Sequence, residues 1–122
     1  MECLFCKINK GEIPSYTIYE DEVVKVFLDI NPKHNGHTLI IPKKHYKDIE
    51  DIDMDTLSHI MKIAKKMYQL LNDKLNPDGI ILTQNNEIAQ DIKHYHLHLI
   101  PVYKNEIEKS VDEIFKKIKS NN

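Results

Sequence analysis

The chain has 122 residues, 41% hydrophobic and 30% charged, with a formal net charge of -2; that suits one soluble globular domain over 1–122 and lacks the cationic excess on which nucleic-acid affinity rests. There is no Arg, so no guanidinium fork is available for phosphate, and that task falls to imidazoles and main-chain N–H groups. No apolar run approaches the ~18 residues of a membrane span, Met1-Glu2-Cys3 is not a secretory signal, and two cysteines three positions apart make no disulfide framework; a cytoplasmic protein without membrane or nucleic-acid partners is expected.

In chain order, 3–10 reads as a short helical turn with Leu4, Phe5 and Ile8 on its apolar side, closed by Gly11. Residues 15–20 alternate as a strand, and Asp21-Glu22 makes a tight connection to a second strand over 23–30. That second run is apolar except for Lys25 and Asp29, as a central strand covered on both faces would be. Asn31-Pro32-Lys33-His34-Asn35-Gly36 is a turn cluster, and 37–42 a third strand. Asp53 is placed to cap a long helix running to 74. Its apolar positions form two adjoining stripes, Leu57, Met61, Ala64, Tyr68, Leu71 and Leu75 beside Ile60, Ile63, Met67 and Leu70, a wider face than one sheet contact needs. Asn76-Pro77-Asp78-Gly79 stops it. A fourth strand over 80–83, a polar loop over 84–91 and a fifth strand over 94–101 follow, with Pro101 marking the end. Ser110-Val111-Asp112-Glu113 is a capping box that opens a last helix with Val111, Ile114, Phe115 and Ile118 on one face. The expected fold is α+β: a five-stranded, largely antiparallel sheet with the long helix on one face and a C-terminal helix.

The fifth strand reads His94-Tyr95-His96-Leu97-His98-Leu99-Ile100-Pro101 and carries three of the seven histidines. Alternate side chains of a strand point to opposite faces, so the three imidazoles line one face, each about 7 Å from the next, and Tyr95, Leu97 and Leu99 take the other. A row of three imidazoles is too polar for ordinary core filling, which makes this strand a working surface. Neutral imidazole is a competent nucleophile near pH 7, and His-x-His is also a chelating spacing for zinc or copper. Cys3-x-x-Cys6 by itself is either half of a zinc site or a pair of apolar packing residues. Asp29-Ile30-Asn31-Pro32 reads as a strand-end turn.

Three segments stand in order: Cys3-Leu4-Phe5-Cys6-Lys7-Ile8 with Gly11-Glu12-Ile13-Pro14 after it, Gly36-His37-Thr38-Leu39-Ile40-Ile41-Pro42-Lys43-Lys44-His45, and His94-x-His96-x-His98. Together they resemble the histidine-triad family of nucleotide hydrolases and transferases, near its Hint branch. The resemblance implies cleavage between a purine nucleotide α-phosphate and its substituent, as in nucleoside phosphoramidates, with no catalytic metal. It implies His96 as nucleophile, oriented by the main-chain carbonyl of His94, with His98 and His37 donating to phosphate oxygens. It places Asp29 on the ribose hydroxyls and Leu4, Phe5, Ile8, Phe27, Ile30 and Leu39 around the purine. Gln90 keeps its family place, and the amide contact falls to Gln84 or Asn85. Asp91 stands where the family often has a hydroxyl that helps the leaving group, a departure, since a carboxylate repels phosphate. The resemblance further implies a structural zinc on Cys3, Cys6, His45 and His94, and a homodimer formed through the long helix and an edge strand. The alternative from a different class is a non-catalytic purine-nucleotide or zinc-binding regulatory module.

Overall fold

The computed structural model describes residues 3–121; Met1 and Glu2, which entered the reading of the N-terminus, and Asn122 lie outside the described residues. Among the described residues five strands form one sheet in the order β1-β2-β3-β5-β4, with β1 at Thr17–Glu20, β2 at Val24–Leu28, β3 at Thr38–Pro42, β4 at Gly79–Gln84 and β5 at Leu97–Val102. Every neighbouring pair is antiparallel. Among the same residues three helices accompany it, α1 at Leu4–Asn9, α2 at Met54–Leu75 and α3 at Val111–Lys119, and a 3-10 turn spans Glu87–Ala89. The α+β architecture expected from the sequence is the one observed.

Period-two burial sorts the sheet into two faces. Val24, Val26, Leu28, Ile40, Leu97 and Leu99 join Ile60, Ile63, Ala64, Met67 and Leu71 of α2 and Ile114 and Ile118 of α3 in the main core. Tyr95 is buried in the same core. Phe27, Leu39 and Ile41 point the other way and meet Phe5 and Ile8 of α1 in a second, smaller cluster. All five residues of β2 are buried, as its near-continuous apolar run requires. Ile40, Ile60, Ile63 and Leu99 are fully buried, and truncating any one to Ala removes about 2–5 kcal/mol.

Helix α2 begins where Asp53 accepts the Thr56 N–H at 3.1 Å and ends on Asn76 in the left-handed region, φ 50. A neighbouring tie fixes its approach to the sheet: Asp21, between β1 and β2, accepts the Val23 and Val24 N–H groups and pairs with His59 of α2 at 2.7 Å. Only the Ile60, Ile63, Ala64, Met67 and Leu71 side of α2 is buried; Met54, Met61 and Tyr68 stand exposed, as do Ile81 and Leu82 on the edge strand β4. No helix among the described residues is long and apolar enough to cross a membrane.

Two features differ from the sequence reading. The regular part of β5 starts at Leu97, so His94 and His96 precede the strand; the rings of His96 and His98 converge to 4.8 Å, closer than strand pleating alone would set them. And β5 continues through Pro101 to Val102, because the β3 ladder stops at Leu99. From there β5 has β4 as its only sheet neighbour, and a residue without an N–H is tolerated where one side of the strand has no ladder to feed. Gly36 sits just above that point with φ +89, and a Cβ on it would lie 2.4 Å from Leu75 Cδ1 and 3.3 Å from Pro101 Cγ.

Candidate active site and metal centre

The face of the sheet that α2 leaves open carries the site. His98 rises from β5, His37 stands immediately before β3, Asp29 immediately after β2 and His96 immediately before β5. Opposite them α1 brings Phe5 and Ile8 over the sheet. The space between is a cavity of about 410 Å³ lined by Leu4, Phe5, Ile8, Phe27, Asp29, Ile30, Leu39, Asn85 and Asp91 together with His37, His96 and His98. Its size and mostly apolar lining with a few convergent polar groups are those of a small-molecule site. Gln84 and Gln90 lie outside this lining: Gln84 Nε2 donates to the Asn85 carbonyl and Asn86 Oδ1, while buried Gln90 donates to the Lys47 carbonyl at 2.7 Å.

His96 Nδ1 lies 2.8 Å from the His94 carbonyl. A carbonyl only accepts, so Nδ1 carries a proton, and in the neutral ring the lone pair is the one on Nε2. Phe5 and His96 meet in a T-shaped pair with 5.0 Å between ring centroids. His98 Nδ1 and His37 Nε2 are 2.9 Å apart. Burial lowers His98 to about 4, assisted by its neighbours His96 and His37, and burial likewise lowers His37; both rings are therefore neutral at pH 7. Asp29 serves the turn and the cavity together, with Oδ1 accepting the Asn31 N–H at 2.9 Å and Oδ2 lying 3.7 Å from His37 Nε2.

A second constellation lies behind His96. The thiols of Cys3 and Cys6 and the Nδ1 atoms of His45 and His94 form one group whose ligand atoms all fall within 4.8 Å of one another. Cys3 stands at the N-cap of α1 and accepts the Cys6 N–H. The sulfur–nitrogen separations are 3.2 to 3.7 Å, against about 3.6 Å between S and N on the edge of a tetrahedral zinc site. His94 Nε2 donates to the Pro42 carbonyl at 2.9 Å, which fixes its proton there and turns the Nδ1 lone pair to the thiols. Burial lowers His94 to about 4, against the pull of the Pro42 hydrogen bond, so the ring is a neutral ligand at pH 7. The donor set, spacing and tautomer all fit a closed four-coordinate metal.

The lining also includes Ile13, Pro14, Ser15, Lys33, Thr83, Ile92 and Ile100, none given a site role from the sequence. Ile13 and Pro14 belong to the Gly-Glu-Ile-Pro motif, which was the available signal. Lys33 and Ile92 sit in irregular segments, where no periodicity points inward.

A family model described as the HIT domain matches residues 10–105. The chain belongs to the HIT family. Its HIT relatives include an uncharacterized HIT-like protein of Methanocaldococcus jannaschii, 44% identical over 96% of this chain and 98% of that one. Another is the adenosine 5'-monophosphoramidase of Candida albicans, 43% identical over 81% of this chain and 69% of that protein. Among solved HIT structures, a zinc-bound histidine triad family protein from Mycobacterium smegmatis superposes with a TM-score of 0.89 at 31% identity, covering 98% of this chain and 91% of its own.

Proposed function

We propose that this HIT protein hydrolyses purine nucleoside 5'-phosphoramidates and related nucleotide conjugates through a nucleotidyl-histidine on His96. The hydrogen bond from His96 Nδ1 to the His94 carbonyl at 2.8 Å carries the reading, because it puts the lone pair of the neutral ring on Nε2, in a side chain that lines the cavity. That lone pair attacks the α-phosphorus, the phosphorus–nitrogen bond to the substituent breaks, and the amine leaves with a proton drawn from solvent, which regains one when water cleaves the intermediate. Water then attacks phosphorus, the His96–phosphorus bond breaks, and the nucleoside monophosphate is released. His98, with its ring centroid 4.8 Å from that of His96, is placed as a donor for charge building on the phosphate oxygens. Asp29 in the cavity lining suits the ribose hydroxyls, and the apolar wall made by Phe5, Ile8, Phe27 and Leu39 suits a flat base. The phosphoramidase relatives support the substrate class.

The same reading places a structural zinc on Cys3, Cys6, His45 and His94 and leaves the chemistry to imidazoles alone. It also pairs two chains through the exposed Met54, Met61 and Tyr68 of α2 and the open edge of β4.

The test is rapid-quench mass spectrometry with adenosine phosphoramidate and a chelator present. AMP added to the peptide that contains His96 is the expected result. AMP binding without turnover would leave the regulatory-module reading, and turnover with no adduct in the wild type and none lost in His96→Ala would refute the nucleophile.

A further inference from the structure

We propose that Glu106 is a positioning residue for His98: by strapping the 31–36 turn it aims the Lys33 main-chain N–H at His37, and through His37 that N–H dictates which nitrogen of His98 carries the proton. The proposal rests on the cavity reading above, but its deciding measurement needs no turnover.

Glu106 follows β5 and lies just past the stretch that the family model matches. One carboxylate oxygen is 2.7 Å from His34 Nδ1, and the other accepts the Asn35 N–H at 2.7 Å. Neighbours of Glu106 hold the rest of Asn35: the Tyr103 hydroxyl donates to its carbonyl at 2.6 Å, its side-chain amide donates to the Ile107 carbonyl at 2.8 Å, and the Lys109 N–H donates back to Oδ1 at 3.1 Å. Burial works against charge on Glu106, yet the Asn35 N–H and His34 hold its carboxyl below the usual glutamate range. Five hydrogen bonds thus converge on two residues of a six-residue turn, from a segment remote in sequence.

The turn passes this order inward. The His37 N–H donates to the His34 carbonyl at 3.1 Å, and the Lys33 N–H donates to His37 Nδ1 at 3.1 Å. An amide N–H cannot accept, so His37 Nδ1 is bare and a neutral His37 holds its proton on Nε2. That proton faces His98 Nδ1 at 2.9 Å, which must accept it. His98 is left with its own proton on Nε2, as a donor for the cavity. His96, held by a carbonyl, takes the opposite tautomer, so two adjacent rings are set as lone pair and donor by two main-chain groups. On this account His37 acts through His98 and is a positioning residue too, where the family resemblance has it donating to phosphate. The same proton argues against a cation on Asp29, His37 and His98, although their ligand atoms lie within 4.8 Å of one another: His37 has no lone pair on Nε2 to offer.

The experiment is nitrogen NMR of the imidazoles in the full-length, 15N-labelled protein without nucleotide, with exchange of the Lys33 amide followed in parallel. The wild type should show Nε2–H on His37 and His98 and Nδ1–H on His96. In Glu106→Ala the His98 nitrogens should move toward a tautomer mixture, and Lys33 exchange should quicken by about tenfold or more. Phosphoramidate kcat should fall about three- to tenfold with KM within about twofold. Glu106→Gln, whose side-chain amide can still accept from Asn35 and meet His34, should restore all three. His37→Leu should release the His98 tautomer and leave His96 unchanged. A wild-type His98 protonated on Nδ1, His98 nitrogens unmoved in Glu106→Ala, or His98 nitrogens unmoved in His37→Leu would each overturn the proposal. A wild type with ordered tautomers and no turnover would refute the enzymatic reading alone.

Discussion

His96 and His98 differ by one pleat in sequence and by their partners in space, and each difference has a measurable consequence. His96→Ala deletes the two-step path, so turnover should fall by at least about 10³, while AMP binding persists on Asp29, Phe5 and their neighbours; stopped assays and calorimetry on the same preparation check both. His98 is lowered from 6.5 to about 4, chiefly by burial. The unfolded chain therefore takes up a proton there before the folded one does. The stability tied to a neutral His98 is complete above pH 6.5 and is lost as pH falls from there through about 4. Urea midpoints taken at pH 7, 5.5 and 4 should drop in the wild type and drop less in His98→Gln. At this scale the sequence displayed the imidazoles, the thiols and Asp29, because unusual residue types announce themselves. It could not display the Lys33 N–H, since every residue but proline has one, nor Glu106, one acidic residue among many on a charged surface.

Element α1 is six residues long, too short to hold a helix by its own hydrogen bonds. It stays because Phe5 and Ile8 pack on Phe27, Leu39 and Ile41 and because Cys3 and Cys6 face His45 and His94. A metal bound there stabilises the folded chain by mass action, about 2.7 kcal/mol at a hundredfold excess over its dissociation constant. Protein purified without chelator should carry about one zinc per chain by elemental analysis, and stripping it should lower the melting temperature. Cys3→Ala/Cys6→Ala should already melt at the stripped value; a metal-free protein whose melting ignores chelator would leave the thiols as packing residues. The elements with strong periodicity were legible in sequence to within a residue or two: β2 through its apolar run, α2 through Asp53 and Asn76, α3 through its capping box. The segment around His94 was not. Its alternation of polar and apolar residues is that of a strand, but the His94 N–H is turned to the Ile92 carbonyl and the Tyr95 N–H to Tyr46, and the ladder begins only at Leu97.

For the whole molecule, the exposed Met54, Met61, Tyr68, Ile81 and Leu82 predict association: sedimentation at micromolar concentration should give twice the mass of one chain, and Tyr68→Lys with Ile81→Lys should return it to one. A wild type that sediments as a single chain would remove the dimer. The packing of Gly36 against Leu75 and Pro101 has a consequence for how the molecule tolerates change. Turns are where proteins usually accept substitution, and Gly11 is such a place: its φ of +79 suits Asn, and nothing lies within 4 Å of an added Cβ. At Gly36 a side chain meets both a left-handed backbone and the end of α2, with an expected loss of about 1–3 kcal/mol for Ala. In a library randomised along the chain and sorted for folded protein, position 36 should keep glycine as stringently as Leu99 keeps an apolar residue, while position 11 drifts. A reader of that library alone would place 36 in the core, and chemically that reader would be right.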